Sequence, residues 1–113
     1  MKSLNRVALM GNLAADPDVK KTQEGVTVVG MSVATDRAWV DKEGEQQKKT
    51  EFHKISVWRK LGELCEKYLK KGSPVYLEGY LANKSYTNTK GDKKYYTEIV
   101  ATDIHLLKFM PAS

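Results

Sequence analysis

Residues Thr50–Gly79 read TEFHKISVWRKLGELCEKYLKKGSPVYLEG and predict a strand, a helix and a second strand, in that order. Side chains alternate between the two faces of an extended segment, so the first strand divides into two sets. His53, Ile55 and Val57 are predicted to face the core, and Phe52, Lys54, Ser56 and Trp58 are predicted to face outward. Large rings gain little from folding on an outward face, so this set is the main signal of a binding surface.

The helix is predicted from apolar residues that recur at every third or fourth position. This stripe consists of Leu61, Leu64, Cys65, Tyr68 and Leu69. Gly72 is predicted to end the helix as a C-cap glycine, and Pro74 prevents its continuation. From Val75 onward the period returns to two. The predicted core face of this strand carries Val75, Leu77, Gly79 and Leu81, and its other face carries Tyr76, Glu78 and Tyr80.

Length and composition exclude several classes of protein. We expect one domain over residues 1–113, and the formal charge of +5 favours polyanionic partners. One cysteine excludes an internal disulfide, and with only two histidines it excludes an ordinary zinc cluster, so neither a metal nor a cofactor is predicted. Polar residues interrupt the apolar pattern near the N-terminus, which disfavours a signal peptide, and no membrane span is predicted. We therefore expect a cytoplasmic protein in which Cys65 packs in the core.

The flanking sequence predicts further strands. The first covers about residues 4–13, with Gly11 at a bend or bulge, and residues 16–25 are predicted to be turn and loop. The second runs from Val26 to about Arg37 and carries small residues on one face. Polar hairpin loops are predicted at residues 41–49 and 87–94, and a last strand, whose inner face is ambiguous, ends near Leu107.

These elements predict a fold that is all-β with one helix. Five strands, no repeated βαβ unit and one helix between strands 3 and 4 favour a five-stranded OB-fold barrel over a parallel sheet. Closing the sheet also removes the exposed edges that five antiparallel strands would otherwise present.

Six short motifs occur in order along the chain. They are Asn5-Arg6-Val7, Gly11-Asn12-Leu13, Asp16-Pro17-Asp18-Val19, Ala34-Thr35 before Trp39, Thr50-Glu51-Phe52-His53, and Lys71-Gly72-Ser73 leading to Glu78-Gly79. Together they resemble the motifs of the bacterial single-stranded-DNA-binding proteins from Asn5 to about Leu107. The resemblance implies an OB-fold subunit, usually in a homotetramer, that binds single-stranded DNA without sequence preference. It further implies a role in replication, recombination and repair, in the cytoplasm at the nucleoid.

The resemblance also assigns site residues. Base stacking is carried over to Trp39, Phe52, Trp58 and Tyr86. The cations interleaved with these rings, expected to contact phosphates, are Lys54, Lys84, Lys93 and Lys94. His53 matches a position that the family uses at a subunit contact, and Tyr76 and Tyr80 are further candidates for that interface. Phe52 and Tyr86 stand where the family often has Trp, and Trp58 stands where it often has Phe.

Other interpretations remain open from the sequence. Trp39 could cap the barrel, Phe52 and Trp58 could fill a subunit interface, and Tyr86 could be a cross-strand partner. No spacing suggests a catalytic triad or a phosphate-binding glycine loop, so an enzyme is not predicted. The alternative function is an OB-fold module that binds RNA or another protein. The family's acidic tail, which recruits replication and repair proteins, is absent from this sequence, so such partners are not expected; a trimmed core and a naturally tailless protein both fit.

Overall fold

The structure, a computed structural model, describes residues 2–107. Its elements are β1 Val7–Leu13, β2 Asp18–Lys21, β3 Thr27–Val40, β4 Gln46–Trp58, α1 Arg59–Tyr68, β5 Pro74–Thr87 and β6 Lys93–Leu106. Two long antiparallel hairpins, β3–β4 and β5–β6, supply most of the sheet. Strand β1 joins these hairpins into a barrel.

The barrel closes through short pairings between the two hairpins and β1. The strand order is β1-β5-β6-β4-β3, and β1 returns to β3 at Asn12 and Leu13. β4 and β6 run parallel where Ile55 pairs with Ile99 and Ser56 with Val100. A closed barrel of five strands with one helix is the OB-fold, which confirms the predicted fold class.

β2 is an addition that the sequence reading placed in a loop. It pairs along the edge of β3, and all four of its residues are exposed, so no apolar alternation marks it in the sequence. When β2 is counted, the helix follows the fourth strand; among the strands of the closed barrel it lies between the third and the fourth, as predicted.

The core is built from the side chains that point into the barrel. It includes Val29 and Val33 of β3, Ile55 and Val57 of β4, and Leu77 of β5. Burial of Ile55 and Val57 confirms the predicted inner face of β4. Helix α1 packs against β3 and β4 through a side that carries the buried residues Gly62 and Cys65.

Two details of the predicted helix are wrong. Tyr68 is exposed although it lies on the predicted apolar stripe. The helix ends at Tyr68, where Leu69 is extended and its amide donates to the carbonyl of Cys65, so Gly72 is not the cap. Gly72 instead adopts a φ of +90° in the turn before β5, and its amide donates to the carbonyl of Leu13 at 2.8 Å. A positive φ explains why glycine stands there.

Gly11 was predicted at a bend or bulge, but the register of β1 with β5 is continuous through it. A Cβ atom at Gly11 would overlap the carbonyl oxygen of Ala34, so glycine is needed because β1 crosses closely over β3. The irregularity lies in the β5–β6 pairing instead, where the register shifts between Glu78 and Gly79. A Cβ atom at Gly79 would overlap the carbonyl oxygen of Val100, so both glycines allow two strands to approach closely.

Both hairpins extend past the barrel as two-stranded arms. We define the β3–β4 arm as residues 35–51 and the β5–β6 arm as residues 81–97. Their turns occupy only residues 41–45 and 88–92, so the predicted loops were too long. Leu81, predicted to face the core, is exposed because it lies in an arm. Side chains in an arm face solvent on both sides, which removes the apolar alternation that reveals a strand in sequence.

Candidate nucleic-acid interface

One continuous outer face runs from β4 across β6 to β5. Ile55 and Ile99 pair and are both buried, so the even-numbered residues of β4 and of segment 94–100 of β6 point outward together. β6 then pairs with β5 so that Tyr96 is opposite Lys84, and paired residues share a face. We call this surface the aromatic face; it comprises Phe52, Lys54, Ser56, Trp58, Tyr80, Ala82, Lys84, Tyr86, Lys94, Tyr96, Glu98 and Val100, of which Glu98 is only 7% exposed.

The β4 part of the aromatic face carries two accessible rings. Phe52 is 66% exposed and Trp58 is 40% exposed, and they lie about 20 Å apart along the strand. Lys54 between them is exposed, as predicted. Ser56 is not: it is only 8% exposed, because it lies between Gly30 of β3 and Val100 of β6 where three strands pair. The two rings therefore flank one exposed cation and one covered serine.

The β5–β6 arm carries a square of rings and cations. Tyr86 is directly opposite Lys94, and Lys84 is directly opposite Tyr96. The two tyrosine rings lie on the diagonal, with their centroids 6.0 Å apart and their planes tilted by 53°. Tyr86 is 55% exposed. This arrangement alternates a π face with a positive charge, which suits successive bases and phosphates of a single strand.

Lys54 joins this arm to β4. Its Nζ lies 4.0 Å from the centroid of the Tyr96 ring, within the range of a cation–π contact. The structure therefore brings six of the eight predicted DNA-contacting residues onto one face. These six are Phe52, Lys54, Trp58, Lys84, Tyr86 and Lys94.

The other two predicted residues lie on the reverse faces of the arms. Trp39 pairs with Gln47, in the alternation opposite to that of Phe52, and the Arg37 guanidinium lies 4.6 Å from the centroid of a Trp39 ring. Lys93 pairs with Thr87, and its Nζ lies 5.6 Å from the centroid of the Tyr95 ring. Each arm thus carries a cation and an aromatic ring on its reverse side.

The three predicted subunit contacts do not form one cluster. His53 is half-buried, and its Nε2 lies 2.8 Å from Oγ1 of Thr35. Tyr76 lies on the outer surface of β5, where its ring centroid is 5.6 Å from that of His105 and the two planes are tilted by 41°. Tyr80 pairs with Val100 and belongs to the aromatic face.

A polar network surrounds Tyr76. Its hydroxyl donates to Glu78 at 2.5 Å, and Arg6 makes an ion pair with the same carboxylate at 2.8 Å. These two hydrogen bonds, that of Tyr76 first, lower the pKa of Glu78 below its usual range. The carboxylate is therefore held in its charged form on this side of the barrel.

Tyr96 and Arg37 were missed by the sequence analysis. Tyr96 follows another tyrosine in a basic hairpin, and counting the register back from the Lys90-Gly91-Asp92 turn would have paired it with Lys84. Arg37 precedes Trp39 by two residues, so both lie on one face of an extended arm. The alternation of side chains along each strand was therefore enough to identify both residues.

Residues 2–107 contain no group of three or more His, Cys, Asp or Glu side chains placed to hold a metal ion. Within the same part of the chain, no helix is long and apolar enough to cross a membrane.

Comparison with known proteins identifies the family. The model of the Single-strand binding protein family matches residues 4–107. This chain belongs to that family. The single-strand binding proteins are named for binding and not for a reaction, in agreement with the prediction that the chain is not an enzyme.

Individual relatives cover nearly the whole chain. Single-stranded DNA-binding protein 1 of Chlorobaculum tepidum is 46% identical over 94% of this chain and 66% of its own length. Single-stranded DNA-binding protein 1 of Xylella fastidiosa is 44% identical over 95% of this chain and 79% of its own length. The chain thus spans about two thirds of the length of the first and about four fifths of the second.

A solved structure matches the fold. The Plasmodium falciparum SSB in complex with ssDNA superimposes with a TM-score of 0.87 at 33% identity, covering 96% of this chain and 98% of that one. The similarity to this structure confirms the OB-fold of the chain.

Proposed function

We propose that this chain binds single-stranded DNA without sequence preference, through the aromatic face. The observation that carries the proposal is the alternation of accessible rings with lysines on one surface: Phe52 and Trp58 with Lys54, and Tyr86 with Lys84 and Lys94. Every base has a π face that stacks on such rings, and the ammonium groups neutralise phosphates, so neither contact reads sequence.

The family supports this assignment. Both bacterial relatives are named single-stranded DNA-binding proteins, and the matched Plasmodium structure is a complex with ssDNA. We infer that residues 1–113 act as one OB-fold domain in replication, recombination and repair, with the cytoplasmic nucleoid as the place of action.

The reverse faces of the arms extend the proposed path. Trp39 and Lys93 are separated from the aromatic face by the thickness of a two-stranded ribbon. A flexible single strand can pass around the edge of each ribbon, whereas a duplex is too stiff to do so. We infer that the strand contacts both sides of each arm.

A competition titration tests the function. Labelled oligo(dT) bound to the protein is challenged with unlabelled single-stranded DNA of mixed sequence, RNA and duplex DNA of equal length. We expect the mixed DNA to compete as well as oligo(dT), and the duplex to compete poorly because its base faces are covered. Equal competition by the duplex would contradict the proposal, and stronger competition by RNA would favour an RNA-binding module.

We further propose that the chain assembles as a homotetramer. Residues Val7–Gly11 of β1 pair with β5 on one side and, within residues 2–107, have no strand partner on the other. An unpaired strand edge is a template for another chain. Met10, exposed and opposite Tyr76, adds apolar surface beside this edge, and His53 remains a candidate contact.

Sedimentation equilibrium tests the assembly. We expect a mass four times the 12.8 kDa of the chain at micromolar concentration. Met10→Glu places a charge on the proposed interface and should lower the mass, whereas Tyr95→Ser, on the reverse face of the β5–β6 arm, should leave it unchanged. A monomer mass for the unmodified chain would refute this proposal and leave the DNA-binding proposal standing.

A further inference from the structure

Tyr96 lies at the junction of the aromatic face, and neither the family motifs nor the relatives assign it a role. Its ring is half-buried between the β5–β6 arm and β4. The centroid of the Tyr86 ring is 6.0 Å from its own, and Nζ of Lys54 is 4.0 Å from it. Tyr96 is therefore a ring held in place by its neighbours, with a cation on its surface.

The face of Tyr96 that carries Lys54 is the face open to a ligand. A lysine ammonium stays in contact with water even when its stem is packed, so the ring surface beneath it borders solvent. Stacked rings have centroids about 4.5–7 Å apart, and an ammonium at 4.0 Å fills that gap. A base and the ammonium therefore exclude each other on this face.

We propose that Tyr96 is a base-stacking residue whose open ring face is occupied by Lys54 in the DNA-free protein. A base of the single strand replaces the ammonium, and Lys54 turns to an adjacent phosphate. This inference rests on the proposed path of DNA across the aromatic face. Under this proposal the ring of Tyr96 exchanges the ammonium of Lys54 for a base when DNA binds.

The relative strengths of the two contacts favour the exchange. A cation–π contact at an exposed site corresponds to about a two- to fivefold preference. A stacked base corresponds to about a 5- to 150-fold gain in affinity, and the released ammonium gains a phosphate partner. When the base displaces Lys54 from the ring, the ammonium thus exchanges its contact with the ring for a contact with a phosphate.

A double-mutant cycle distinguishes a Tyr96 ring that stacks a base from a Tyr96 ring that only positions Lys54. The variants are Tyr96→Leu, Lys54→Met and the double variant, titrated with oligo(dT) of about 16 nucleotides at fixed salt. If Tyr96 stacks a base, Tyr96→Leu should weaken binding at least fivefold in both the unmodified and the Lys54→Met background. If Tyr96 only orients Lys54, the loss should vanish in the Lys54→Met background, and the proposal would be wrong.

Two control variants sharpen the cycle. Tyr96→Phe keeps the π face and removes the hydroxyl, so its affinity should match that of the unmodified chain; a loss equal to that of Tyr96→Leu would overturn the stacking role. Tyr68→Leu removes an exposed ring at the end of helix α1, outside the aromatic face and both arms, and should change affinity by less than about twofold. Binding of oligo(dT) by the unmodified chain in the same titration tests the proposed function separately.

NMR of the unmodified protein tests the exchange without depending on the folding of a variant. The Tyr96 ring current should shift the Cε protons of Lys54 upfield in the free protein, and saturation with oligo(dT) should return them to the usual lysine position. If the shift persists at saturation, Lys54 remains on the ring and the proposed replacement is refuted.

Discussion

Phe52 and Ile55 lie three residues apart on β4 and face opposite ways, so truncating each to alanine should separate binding from stability. Phe52 is 66% exposed on the aromatic face, whereas Ile55 is 1% exposed in the core. The two variants share a strand and a type of change. They differ in the face of the strand from which the side chain is removed.

The structure sets the expected magnitudes. Full burial of a large apolar side chain stabilises by about 1.5–3 kcal/mol, so the buried third of Phe52 contributes roughly 0.5–1 kcal/mol. Ile55→Ala should cost about 2–5 kcal/mol of unfolding free energy, because it also leaves a cavity. Loss of one stacked base at Phe52 should cost about 1–3 kcal/mol of binding free energy, which is about 5- to 150-fold in affinity.

The assay combines thermal unfolding with fluorescence-anisotropy titration of labelled oligo(dT). We expect Phe52→Ala to melt close to the unmodified chain and to bind weakly, and Ile55→Ala to melt early and to bind normally at a temperature where it is folded. The opposite result, in which Phe52→Ala binds within twofold and melts as early as Ile55→Ala, would refute the assignment of Phe52 to a binding face.

Four further predictions concern charge, pH, burial and closure. Replacing Lys84 or Lys94 by Gln should flatten the dependence of log affinity on log salt by about 0.7 per lost phosphate contact, measured by titration at several salt concentrations; an unchanged slope would exclude that contact. Because the pKa of Glu78 is lowered in the fold, its contribution is complete above the unfolded pKa and is lost as pH falls through the folded pKa, so Glu78→Gln should lower the melting temperature at pH 7 more than in acid; a pH-independent difference would contradict this. Burial raises the pKa of Cys65 to about 11, so a thiol reagent at pH 8 should react slowly until the protein is unfolded; rapid reaction of the folded chain would show that the helix does not cover the thiol. Gly11→Ala should destabilise the fold in urea unfolding, because the new Cβ overlaps the Ala34 carbonyl oxygen; unchanged stability would place β1 and β3 further apart.

The barrel's inner elements could be predicted because burial leaves a period in the sequence. The alternation through Ile55 and Val57, and again through Val75 and Leu77, marks strands that have one buried face. The number and order of the predicted strands and helix then indicated the barrel, and the family motifs supplied the stacking residues of the proposed site. Where a strand has no buried face the signal disappears, which is why β2 and residues 46–49 of β4, with the strand ends at Thr87, Lys93 and Lys94, were predicted as loops.

What the sequence determined by itself is local: which residues alternate, where the helix lies, and that rings and lysines share a strand face. Tertiary structure decided which strand faces join, because the register of β6 with both β4 and β5 is set by long-range pairing. That pairing brings Lys54 onto Tyr96. The register of the β3–β4 hairpin likewise sets Trp39 and Phe52 on opposite faces. Strand pairing also covers Ser56, which one strand alone would leave exposed, because hydrogen-bonded neighbours on both sides are supplied by residues distant in the chain.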